Sequence, residues 1–240
     1  LHLFTLPSAS SRLSGETPTP KSDSMAESSP NAEAAALVDE LATTRPLNKD
    51  LRELAKKHAK QHELAAYLWS KRGFHARMLS LLILDMKRVD VAHIERLISD
   101  LETVTDPKEQ SQLLDWMIAN VIMKKPPLKA GTTEWRADKS LLKQRVFWGV
   151  HARSVKAENR ELNEELLGYI ENGLADAPEK VKWNMNWCAA QIGIADEKLR
   201  GRCIALGEKL RLYEDYPTPK GCTSPYLPSW IWAVVAKKGG

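Results

Sequence analysis

From Asn31 onward the apolar residues recur every three or four positions, and nowhere does the strict alternation of a half-buried strand persist. That spacing predicts helices near Asn31–Leu41, Asn48–His58, Gln61–Arg72, Phe74–Met86, Val91–Leu101 and Pro107–Lys124. Five more are predicted near Asp138–Val155, Leu162–Ala175, Glu179–Ile194, Glu197–Tyr213 and Ser229–Lys237. Local signals support two of the boundaries. Asp106 followed by Pro107 reads as an N-cap with proline in the first turn, and Gly73 sits where a left-handed C-terminal cap would fall. Residues Leu1 to Pro30 hold eight Ser, three Thr and four Pro without helical periodicity, so a disordered leader is expected there.

About a dozen helices on short connections do not fit one four-helix bundle, and they suit a right-handed stack of antiparallel helix pairs. No strict sequence period is visible. The expectation is therefore an all-α solenoid of divergent, HEAT-like pairs over residues 31–240, with a basic concave face suited to an extended polymer. With 43% hydrophobic residues in 240, the chain can bury a large core without staples. Cys188, Cys203 and Cys222 lack CxxC or His-paired spacing, so neither disulfides nor a zinc site is expected. The implied compartment is reducing, cytoplasmic or nuclear. The longest apolar run, Trp230–Ala236, is far shorter than the roughly 20 residues of a membrane span.

The net charge of +4 says little until its distribution is read. Between Val121 and Arg160 stand ten basic residues (Lys124, Lys125, Lys129, Arg136, Lys139, Lys143, Arg145, Arg153, Lys156 and Arg160) against Glu134, Asp138 and Glu158, a local excess of +7. Trp135 and Trp148 interleave with them. A solvated helix face is the plain alternative, but such a field attracts a polyanion, and duplex DNA is the expected partner.

Three stretches could carry chemistry. In Leu113–Ile122 the apolar residues Leu113, Leu114, Met117, Ile118, Val121 and Ile122 form a core stripe, which leaves Trp116 and Asn120, four apart, on another face. In Leu141–Trp148 a basic helix carries Lys143 and Arg145. In Val181–Ile192 the stripe Val181, Met185, Cys188 and Ile192 leaves Trp183, Trp187 and Gln191 aligned elsewhere. Each tryptophan taken alone suits packing between repeats.

Trp135–Ile194, above all Val181-Lys182-Trp183-Asn184-Met185-Asn186-Trp187-Cys188-Ala189-Ala190-Gln191-Ile192-Gly193, resembles the signature region of the AlkD-like DNA alkylation repair enzymes. The tail Tyr216–Tyr226 resembles a branch of the same family. The resemblance implies a HEAT-like solenoid that binds duplex DNA and excises N3- or N7-alkylated purines, using two tryptophans and an aspartate at the lesion sugar and an arginine on the backbone. The matching positions are Trp116, Trp187 and Arg145. Beside them, Lys143, Lys124, Lys125, Lys139 and Trp183 are expected as further DNA contacts. The family's aspartate falls on Asn120, and the first aspartate of its W-D-x-x-D pattern on Met117.

That departure bears on the reaction. An alkylated purine already carries positive charge and leaves without a general acid, so the enzyme's main task is to stabilise a cationic sugar. Tryptophan faces contribute by cation–π attraction. A carboxylate about 4 Å away contributes ~4 kcal/mol at an effective dielectric of ~20, so a neutral amide in its place forfeits ~10³ in rate. Two readings lead: a monomeric glycosylase needing neither cofactor nor metal, and a non-catalytic DNA-binding or lesion-sensing protein on the same fold; a protein-binding helical scaffold is a third, which accounts less well for the basic segment and the tryptophans. No Gly-rich phosphate loop, nucleophile elbow or histidine cluster competes with them; His58 and His62 lack a third ligand.

Overall fold

A computed structural model describes residues 30–239, so the Ser/Thr/Pro-rich leader lies, but for Pro30, outside the described residues. The described chain is helical throughout, with no strand. In order come α1 (Pro30–Thr44), α2 (Asn48–Lys57), α3 (His62–Ser70), α4 (Phe74–Ile83), α5 (Val91–Glu102) and α6 (Pro107–Asn120). Then follow α7 (Pro126–Ala130), α8 (Leu141–Ser154), α9 (Arg160–Gly173), α10 (Glu179–Ala195), α11 (Glu197–Leu210) and α12 (Leu227–Gly239). Two 3-10 turns, Ile122–Lys124 and Thr133–Ala137, flank α7.

Where the boundaries differ from the periodicity, local hydrogen bonds account for the difference. Asp106 caps α6 as expected, its Oδ1 accepting from the Lys108 backbone N–H at 2.7 Å. The far end of α6 stops at Asn120 instead of Lys124, because the chain tightens into a 3-10 turn ahead of Pro126 and Pro127. Helix α8 starts at Leu141 and not Asp138. Ser140 Oγ accepts from the Lys143 backbone N–H at 3.3 Å, while Asp138 Oδ1 takes the N–H of Ser140 at 2.8 Å. Gly73 is not the left-handed residue that its position suggested: it is extended (φ −70°) and precedes α4, and Arg72 takes the positive φ of 61°.

The helices alternate between two roles. Helices α2, α4, α6, α8, α10 and α12 pack each against the next, and the α8–α10 interface is the largest. Helix α3 backs onto α4, α5 onto α6 and α8, α9 onto α10, and α11 onto both α10 and α12. Behind α8 the segment 122–137 substitutes for a full helix through its second 3-10 turn. The even row thus carries one face toward its backing helices and one away from them. Buried hydrophobic residues from Leu41 to Ile231 form a continuous core between the layers. Cys188 and Cys203 belong to it, and burial pushes the Cys203 thiol up to about 12 and that of Cys188 higher still. They are small buried hydrophobes and not reactive thiols.

The last pair closes through a single close approach. A Cβ on Gly207 of α11 would lie 2.5 Å from Pro228 Cδ and 2.7 Å from Leu227 Cβ at the start of α12. A proline ring and a Cβ cannot swing aside, so the helix can only separate. Gly207→Ala should therefore destabilise the protein by about 1–3 kcal/mol, although alanine improves helix propensity by ~1 kcal/mol. Urea unfolding measures this, and an unchanged or raised midpoint would contradict the packing.

Candidate functional site

The outward face of the even row is organised by a guanidinium. Arg145 lies in the middle of α8 with its side chain only 7% exposed. Its Nε donates to Asn184 Oδ1 of α10 at 3.1 Å, its Nη1 to Ser111 Oγ at 2.7 Å, and its Nη2 to Asp115 Oδ2 of α6 at 3.0 Å. Arg145 thereby ties three consecutive helices of the row together. A planar fork with several fixed donors is suited to this; an ammonium is not. The residue expected on a DNA backbone is thus used inside the fold, and the carboxylate it holds is Asp115.

Trp116 follows Asp115 directly, and the structure corrects its assignment to a free polar face. It is only 8% exposed, and its indole N–H donates to the Met78 carbonyl of α4 at 3.1 Å. The remaining face of its ring is covered by Arg52 of α2, whose guanidinium carbon stands 4.5 Å from the ring centroid. Arg52 Nη1 also donates to Asn120 Oδ1 at 3.2 Å, and Asn120 Nδ2 donates back to the Trp116 carbonyl at 2.9 Å. Trp116 and Asn120 do share a site, as their spacing predicts. A cation from the protein itself already occupies it.

The second tryptophan repeats the arrangement. Trp187, half-buried on α10, carries the Arg153 guanidinium 4.5 Å above its ring, with Arg153 Nη1 anchored on the Gly149 carbonyl at 3.0 Å. Burial holds Arg153 below its ordinary pKa; Asp115 opposes this and Arg145 reinforces it, so the three charges share one field. Gly149 stands in a tight space between the two arginines, where a Cβ would lie 3.0 Å from both Asn184 Nδ2 and Ile118 Cδ1. Sequence reading missed both capping arginines. Arg153 falls in register with Arg145, eight residues or two turns along α8. Nothing in the sequence near Trp116 points to Arg52.

The other basic candidates disperse. Lys143 is half-buried, 2.7 Å from Glu95 and 3.4 Å from Asp138, and the hydrogen bond to Glu95 is the main cause of its raised pKa. Lys125 Nζ donates to the carbonyls of Met86 and Val89, closing the loop after α4. Arg160 pairs with buried Asp196, and Arg136 stacks on Tyr169. Among the described residues Lys124 and Lys139 are exposed and without an ion pair. Much of the +7 segment is thus matched by carboxylates outside it: Glu95, Asp115 and Asp196. Trp183 is exposed on α10, one turn before Trp187, while Val181, Met185, Cys188 and Ile192 are buried as their stripe predicts. Among the described residues no cluster of His, Cys, Asp or Glu could hold a metal, and no helix is long and apolar enough to cross a membrane.

With this geometry in place the chain can be set beside known proteins. A family model described as DNA alkylation repair enzyme matches residues 40–210. The chain belongs to the DNA alkylation repair enzyme family. The matched region runs from α1 to the end of α11 and contains Trp116, Asn120, Arg145, Arg153 and Trp187. A solved structure, described as a new family of proteins related to the HEAT-like repeat DNA glycosylases with affinity for branched DNA structures, superposes with a TM-score of 0.58. It is 16% identical and covers 74% of this chain and 77% of its own. That likeness shows the fold, a HEAT-like repeat array, as the helix pattern predicts. No curated protein matches the sequence.

In this member of the family Arg145 has a structural role. Arg145→Ala leaves buried Asn184 Oδ1 without its donor and removes the link between α6 and α10. A loss of about 2–4 kcal/mol is expected from the orphaned buried partner and the lost packing. Chemical denaturation checks this, and an unchanged unfolding free energy would dismiss the hub.

Proposed function

We propose that this chain binds duplex DNA through the outward face of its even-numbered helices and recognises it without excising a base. The observation that carries this reading is the guanidinium of Arg52 over Trp116 and on Asn120, repeated by Arg153 over Trp187. Excision of an alkylated purine builds positive charge on the sugar. A sugar brought to these ring faces would meet cations and a neutral amide where the reaction needs negative charge. At about 4–5 Å the repulsion from one such charge is of order 1–4 kcal/mol between water-like and partly shielded surroundings, or roughly 10- to 10³-fold in rate. The same two guanidiniums attract phosphate, and arginine on an aromatic ring keeps N–H groups free at its edge for an anion. The affinity of the structural neighbour for branched DNA supports the DNA-binding part of this reading.

Binding to a short duplex should fall steeply between low and physiological salt and be largely indifferent to sequence, since counterion release dominates such contacts. Arg52→Ala should flatten the slope of log affinity against log salt by about one. A salt-independent affinity, or no binding at low salt, would overturn the proposal.

Excision is tested on DNA containing N7-methylguanine under single-turnover conditions. The wild type and Asn120→Asp should both stay near the uncatalysed rate, because Arg52, 3.2 Å from this position, would neutralise the new carboxylate. Combining Asn120→Asp with Arg52→Ala frees that charge and should raise excision by one or more orders of magnitude. Rapid excision by the wild type would make this protein a glycosylase.

A further inference from the structure

Next to the Trp187 site stands a group of aromatic residues that duplex binding does not use. Trp183, one helical turn before Trp187 on α10, has Tyr213, Tyr216 and Trp230 around it, with ring centroids at 5.3, 5.8 and 6.5 Å. Tyr213 and Tyr216 also meet edge to face at 5.9 Å. In a core, such rings would be covered. Here Trp183 is 37% and Tyr216 48% exposed.

The connection between α11 and α12 is folded so as to place them there. Arg211 and Tyr213 both take left-handed backbone conformations, with φ of 50° and 61°. Neither is glycine, and such conformations cost about 1–3 kcal/mol each. The Arg211 Nε bond to Glu214 at 2.6 Å fixes one end of the segment, and Asn186 Nδ2 on the Pro225 carbonyl at 2.9 Å fixes the other. The Tyr213 hydroxyl reaches Glu179 Oε1, one turn before Trp183 on α10, at 3.5 Å. Lys182, just before Trp183, and Lys220, beyond Tyr216, have no ion pair among the described residues; Glu179, Glu214 and Asp215 are the acids beside the group in sequence, and Glu214 is paired with Arg211.

We infer that Trp183 and Tyr216 form a stacking platform for unpaired nucleobases of DNA, so that this protein engages junctions between duplex and single strand. The inference rests on the proposed DNA-binding reading and extends it, from the duplex held at Arg52 and Arg153 to bases splayed away from it. A duplex hides its base faces within its own stack, whereas an unpaired base presents one. Open aromatic faces take any base, at a strength of about tenfold in affinity per stacked base. The helical turn between Trp183 and Trp187 puts the platform within about 6 Å of the proposed duplex contact.

The test compares the full chain on a blunt duplex, on a forked duplex of the same paired length with unpaired arms, and on single-stranded oligothymidine, by fluorescence anisotropy. Wild type should bind the fork about tenfold more tightly than the blunt duplex. Tyr216→Ala should bring that ratio close to one while leaving blunt-duplex affinity within about twofold, and Tyr216→Phe should retain the preference. Trp183→Ala should also abolish it; if that variant does not fold by circular dichroism, the exposed Tyr216 pair decides alone. A wild-type ratio near one, or a preference kept in Tyr216→Ala, overturns the platform while duplex binding stands. No binding to any of the DNAs removes the platform and the DNA-binding reading together.

Discussion

The face proposed to bind DNA depends on one buried cation. Arg145 is nearly enclosed and holds partners on two neighbouring helices, so α6, α8 and α10 can adopt only the separations that its planar fork permits. Everything proposed for the face follows from those separations. Trp116 adjoins the residue that Arg145 grips on α6, and Trp187 stands one turn beyond the residue it grips on α10. Desolvating a guanidinium costs several kcal/mol, offset only when its donors are met, and here the partners that meet them come from three places in the sequence. The hub fixes the geometry of a face that carries exposed Arg52 and half-buried Arg153.

A change of sign accompanies the change of one residue. A tryptophan beside a carboxylate attracts a cation, whereas a tryptophan beside an amide and beneath a guanidinium attracts an anion. Asn120 keeps the shape of an aspartate and the ability to accept a hydrogen bond, and it uses that ability on Arg52. On the proposed reading, the ligand suited to these tryptophans is the phosphate backbone and not the sugar of a departing base. Asp115, the remaining carboxylate nearby, is bound to Arg145 and faces Arg153, so it balances charge already present.

The helices and their order were legible in the sequence because each must bury a stripe against its neighbours, and that stripe leaves a 3.6-residue period. The core residues of α6 and α10 were legible for the same reason. Side-chain destinations at long range were not. Trp116 looked free because helical spacing says nothing about Arg52, 64 residues earlier, or about the Met78 carbonyl that binds its N–H. Lys125 and Lys143 looked like a basic patch because a charge count records formal charges and not the carbonyls and carboxylates that engage them. The turn at Arg72, taken by a non-glycine beside an available Gly73, shows the same limit at short range.

Helix α2 contributes the cation over Trp116, yet it meets the rest of the row chiefly through α4, near the described N-terminal end of the array. Helices at the end of a stack lack a neighbour on one side and open most readily by local fluctuation. The charge presented at Trp116 is therefore a property of how well the terminal repeat is docked. Undocking of α2 would take the guanidinium from the indole and the donor from Asn120, so the polarity at Trp116 is tied to the docking of a helix two places along the row.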